Sequence, residues 1–385
     1  MSNAVLKTLA AAAALSLVLA ACGGGGGSSG GGSTNTGTGT TATGTSNAQS
    51  LLAAYVVPDT IAADVVPLAS VPAFTVGNSG IQSACAGSTV GASVVSTQDV
   101  VVFSGNGASL KAQELAADLA EQAIASVRTY FGQSATVGFD GTNKVQICVD
   151  TQLGVGQSNG TAITGQTALN VSQEMSADSP NFDARFPNAA NYDGLLGLYR
   201  HEMTHAYNYA AAEPFGNGIE FFYLEGTAQN VAQEPLPDKA TLLGYVTSTD
   251  LLSPTNNDSN LTVLPAYEAI INYLTSNAPG ALNNGQASLQ TLLSTFKADA
   301  MAVCAQPIPS GIIPAPAETV GVPAGDLNVC YSPPGSVDTR VRAAFDQAFN
   351  STMKDSNGGP LLLHTADGAN SLEATLYQRL NGYLP

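Results

Sequence analysis

His201-Glu202-Met203-Thr204-His205 stands inside an apolar run, Leu195, Leu196, Leu198, Tyr199, Met203, Ala206 and Tyr207, that recurs at helical spacing. On such a helix His201 and His205 project from one face, about one turn apart. Two imidazoles so placed can bind one Zn²⁺ tetrahedrally and leave room for a third ligand and a water. Glu202 lies beside them, where a carboxylate can take a proton from that water. The chain has three histidines in 385 residues, and two of them stand in this pentad with the glutamate in place. Chance is a poor explanation for that concentration.

Outward from the pentad, the chain begins with a targeting segment (residues 1–21). Lys7 supplies a thin positive start, and Leu9 to Ala20 is an apolar run too short for a stable membrane span. Its end, Leu19-Ala20-Ala21-Cys22, looks like a bacterial lipobox, which implies cleavage before Cys22 and lipidation of that residue. Gly23, where an aspartate would favour inner-membrane retention, implies an outer membrane lipoprotein facing the periplasm or the cell surface. Residues 22–49 are Gly, Ser, Thr and Asn with little to bury, so they are expected to form a flexible tether with an r.m.s. reach on the order of 30 Å.

Charge and cysteine usage limit the partners. A formal charge of −17 argues against nucleic acid and against electrostatic attachment to anionic lipid, so the membrane is expected to be met only through the lipid anchor. Charged residues make up 11% and hydrophobic residues 44%, enough for a substantial core without Trp. With Cys22 assigned to the lipid, Cys85, Cys148, Cys304 and Cys330 form an even set in a chain sent to an oxidising compartment. Three disulfide connectivities are possible. Cys85–Cys148 with Cys304–Cys330 is favoured, because the second bridge would staple a Pro-rich excursion.

Residues 50–104, broken by Pro58, Pro67 and Pro72, are expected as strands and loops packed on a main domain that runs over 105–385. Ser109 to Phe131 predicts a helix with Gly132 ending it. Lys144 to Asp150 predicts a strand, Thr161 to Val171 a second, and Asp193 or Gly194 the start of the motif helix, with Asp193 suited to its N-cap. Beyond the motif, helices are expected at Leu264 to Asn277, Leu289 to Ala302, Val341 to Met353 and Ser371 to Leu380.

The pentad is the H-E-x-x-H pattern of zincins, and helix, strand, strand, metal helix is the order their N-terminal lobe requires. The continuation Ala206-Tyr207-Asn208-Tyr209 lacks the Gly and third His of metzincins. Leu224-Glu225-Gly226-Thr227-Ala228 instead resembles the E-G-x-A segment of gluzincin peptidases of the MA-like group. The resemblance implies an α+β, zincin-like fold, with an α/β lobe carrying the metal helix and a mostly helical second lobe. It further implies Glu225 as third zinc ligand, with Glu220 as a fallback. It also implies a substrate-binding edge strand at Gln166 to Val171, with Gln166, Ala168 and Asn170 as the candidate residues. In the better-known gluzincins an Asp four residues after the ligand glutamate orients a zinc-bound His, and here Gln229 holds that place.

The expected activity is hydrolysis of a peptide or protein substrate, with Zn²⁺ as cofactor and Glu202 as general base. Tyr267 or Tyr273, with His364 also on offer, would stabilise the oxyanion. Gln229 keeps a second possibility open, a lipid-anchored binding lipoprotein with a zincin fold and little or no activity. A structural protein with an accidental pentad is the third. Metal content separates the last from the others.

Overall fold

The structure, a computed structural model, describes residues 47–74, 84–87, 92–152, 160–164, 170–185, 192–253, 261–306 and 339–385. The targeting segment, Cys22, most of the tether, Gln166, Ala168 and Cys330 lie outside them.

Apolar alternation builds a six-stranded sheet, β1 (Val65–Pro67), β2 (Ser93–Ser96), β3 (Val100–Gly105), β4 (Val145–Asp150), β5 (Gly160–Thr164) and β6 (Asn170–Met175), in the order β1-β2-β3-β4-β6-β5. The inner pairs β3–β4 and β4–β6 are parallel, and the outer pairs are antiparallel. Strand β3 shows why both faces are covered. Val100 and Val102 enter the main core, while Val101 and Phe103 enter a smaller one with Phe74, Val94 and the bridged Cys85 and Cys148. Of the two favoured bridges, Cys85–Cys148 is present.

Helix α1 (Asn47–Ala54) begins inside the stretch expected as tether, and α2 (Asp59–Ala63) follows. The 104/105 boundary falls within β3, so residues 50–104 are not an appendage packed on the domain; they supply three of its strands. The reason is parallel pairing: β3 finds its partner β4 only after α3 (Leu110–Phe131) has crossed over, a relation that local patterning does not record. Helix α3 starts where expected, with Ser109 Oγ accepting from the Ala112 N–H, and ends at Gly132 with φ +67.

The single strand expected over Thr161 to Val171 is instead an antiparallel hairpin of β5 and β6. Asn170 therefore opens an interior strand between β4 and β5, and among the described residues the outermost strand on this side of the sheet is β5.

After α4 (Phe182–Arg185) the chain is helical: α5 (Tyr192–Ala212), α6 (Phe221–Ala232), α7 (Lys239–Ser248), α8 (Leu264–Thr275), α9 (Ala287–Cys304), α10 (Thr339–Thr352) and α11 (Leu372–Tyr383). The four helices expected beyond the motif are all present. The protein is thus a mixed α+β fold, a sheet with α3 and α5 against it and a helical C-terminal part. Among the described residues no helix is long and apolar enough to cross a membrane.

Candidate metal centre

Helix α5 carries the pentad and is packed from several sides. Its Tyr207 ring stacks on Phe131 of α3 at 4.2 Å and meets Phe139 edge-on. Asn208 Nδ2 donates to Thr227 Oγ1 at 2.9 Å, and that hydroxyl donates to the Tyr223 carbonyl within α6. This polar bridge sits in a buried helix interface, where it sets the register of α6 against α5.

That register brings three donors together. His201 Nε2 and His205 Nε2 are 3.1 Å apart, and the Glu225 oxygens lie 3.4 Å from the first and 3.5 Å from the second. Three ligands about 2.0–2.1 Å from one ion at tetrahedral angles would stand about 3.3 Å apart, so the residues present fit Zn²⁺. Burial alone would push the Glu225 carboxyl up. His205 first, and then His201, outweigh it and hold Glu225 well below the usual carboxylate range. All three donors are buried, and Glu202 is fully buried beside them.

Glu220 is the N-cap residue of α6 and points elsewhere, toward His364. Gly226 allows a close approach, but to α8 and not to α5. A Cβ there would lie 2.6 Å from the Tyr267 carbonyl oxygen and 2.6 Å from Ile271 Cγ1. Gly226→Ala should therefore lower unfolding stability by about 1–3 kcal/mol, read from a urea transition, because backbone must move to admit one methyl.

The two tyrosines expected at the oxyanion both sit on α8. Tyr273 accepts from Arg379 Nη1 at 3.0 Å in a network that includes Asp355. Tyr267 is a core residue of the α6–α8 interface, its ring edge-on to Phe221. His364 belongs to a different cluster.

Two residues that the sequence reading passed over stand near the centre. Tyr209 follows His205 by one turn, so residues 201, 205 and 209 share a helix face. It is half-buried, and burial first, with Glu225 and Glu202 adding to it, pushes its phenol up. The spacing that marked the two histidines could have found it. Glu174 on β6 is fully enclosed, and burial first, then the nearby Glu202, raises its carboxyl well above the usual range, although Ser172 Oγ donates to it at 2.6 Å. Burial and the like charge of Glu202 thus both favour the protonated form of Glu174. Only an acid in mid-strand signalled it.

The imidazole support is thin. His205 Nδ1 and Gln229 Oε1 are both buried, and neither has a hydrogen-bond partner among the described residues. No protein-family model matches the chain, and no curated protein is significantly similar to it.

Proposed function

We propose that the chain is a zinc-dependent peptidase of the gluzincin kind, an exported lipoprotein whose α/β part carries the metal helix. The observation that carries this is the convergence of His201 Nε2, His205 Nε2 and the Glu225 carboxylate within 3.5 Å of one another, with Glu202 buried next to them.

A Zn²⁺ ion held by these donors would acidify a bound water and polarise a scissile carbonyl. Glu202 accepts the proton at its carboxylate and passes it to the leaving amine. The Tyr209 hydroxyl donates a hydrogen bond to the developing oxyanion. The edge strand β5 packs beside α5, and its outer backbone groups pair with an extended peptide. That strand takes the role expected of Asn170, which opens the interior strand β6, while Gln166 and Ala168 lie outside the described residues.

The second reading, a binding lipoprotein with little or no activity, is favoured by one observation. Among the described residues His205 Nδ1 has no partner to fix its tautomer, and loss of such partners weakens metal affinity or activity about 10–100-fold.

Elemental analysis of the full chain tests the centre. Zinc bound by the parent should fall by about one equivalent in both His201→Ala and Glu225→Ala, since removal of one donor from a three-donor site abolishes tight binding. A well-folded parent whose zinc content is unchanged by either substitution would sink the peptidase reading.

A further inference from the structure

Glu220 at the start of α6, Asp346 in α10 and His364 in the segment between α10 and α11 come from distant parts of the chain and meet at one point. We propose that they form a second divalent-cation site, a structural one that takes a borderline ion such as Zn²⁺ and pins the start of the ligand helix α6 to α10 and the C-terminal segment.

The geometry is specific. His364 Nδ1 lies 2.7 Å from Asp346 Oδ1 and 3.4 Å from Glu220 Oε1, and one ligand atom from each residue falls within 4.8 Å of the others. His364 Nε2 lies 2.8 Å from the Leu252 carbonyl oxygen. A carbonyl only accepts, so Nε2 carries a hydrogen and Nδ1 is the nitrogen turned to the two carboxylates. A metal-bound histidine is oriented in this way, its far nitrogen donating to a backbone carbonyl.

Glu220 supplies an independent observation. It is 6% exposed, and neither of its carboxylate oxygens accepts a hydrogen bond from the described residues. Burial pushes its carboxyl up to about 8 even with His364 facing it, so a divalent cation there would stabilise the ionised form. Glu373 adds a third carboxylate, accepting from the His364 N–H. The backbone also commits to the arrangement, since His364 is held at φ +54, in the left-handed region that disfavours a side chain. Asp346 is itself partly exposed, and a recess beside the cluster is lined by Leu252 and Glu373, which contact His364.

One imidazole with carboxylates suits a borderline ion better than Mg²⁺, which prefers oxygen throughout. The competing occupant is a proton. Burial would lower the His364 ring, but Asp346 and Glu220 outweigh it and raise the ring to about 9, so metal-free protein carries an imidazolium there at neutral pH. A zinc ion must displace that proton.

The site is tested by equilibrium dialysis of the chelator-stripped full chain against zinc chloride, followed by elemental analysis. The parent should take up about two equivalents, His201→Ala/His205→Ala about one, and the same double variant with His364→Gln added about none. Zinc should raise the thermal midpoint of the double variant and leave that of the triple variant unchanged. If the triple variant does not fold, Asp346→Asn in the double background gives the same readout from a partly exposed position. A folded double variant that binds no zinc would overturn the proposal and leave an imidazolium ion pair. Zinc kept by the triple variant would overturn it equally, by placing the metal elsewhere. A parent whose zinc is lost with His364→Gln and kept in His201→Ala/His205→Ala would instead sink the peptidase reading and leave this one standing.

Discussion

Glu202→Gln should leave zinc content unchanged and lower hydrolysis of unstructured peptides by about 10²–10⁴-fold, the usual worth of a positioned general acid–base. The substitution keeps the side-chain shape and removes only the ability to accept a proton. Glu202 is outside the donor set formed by His201, His205 and Glu225, so metal retention and loss of turnover should separate cleanly. The assay counts new amino termini released from a peptide mixture, with parent and variant at equal zinc. Tyr209→Phe, in the same assay, should cost about 10²-fold in kcat with little change in KM, because its hydrogen bond forms only as charge develops on the carbonyl oxygen. A Glu202→Gln chain that turns over like the parent would remove the proton-transfer role and, with it, the peptidase assignment. Zinc bound without turnover in the parent itself would favour the binding lipoprotein.

The largest stability effect is expected far from the metal. Asp99→Ala should destabilise the fold by about 3–5 kcal/mol, because it strands a buried guanidinium. Asp99 stands between β2 and β3 and meets Arg128 of α3 with both oxygens, each at 2.8 Å. The same carboxylate accepts from the Gly138 N–H at 2.9 Å, while Arg128 Nη2 also donates to the Thr136 and Gly138 carbonyls. The end of α3, the β2–β3 turn and the loop into β4 are thus tied to one ion pair. Breaking it from one side leaves a desolvated charge, whereas replacing both partners with apolar groups removes that charge. Asp99→Leu/Arg128→Met should therefore recover more than half of the loss in a urea transition. A double variant no more stable than Asp99→Ala would show that the individual hydrogen bonds, and not the stranded charge, set the cost.

Local information carried much of this reading. That His201 and His205 share a helix face follows from a repeat of 3.6 residues, and the Ser109 cap and Gly132 stop of α3 follow from what those residues can and cannot do at helix ends. The helical second part was legible for the same reason, since amphipathic spacing needs no distant partner to be recognised. Glu225 was reached through a resemblance in a short segment, and the packing of α6 on α5 then set its distance to the histidines.

What the sequence by itself determined is therefore the type of most elements and the residues that line one helix face, because both depend on neighbours within a few positions. Tertiary structure alone decided which strands pair. Residues 160–164 and 170–175 became two antiparallel strands with β5 outermost and Asn170 inside, and β3 from the N-terminal stretch became central to the sheet. It also decided what stands behind each functional group: Glu174 against Glu202, Tyr273 given to Arg379, and Glu220 turned to Asp346 and His364. These relations rest on burial summed over segments far apart in the chain, and no window of adjacent residues contains that sum.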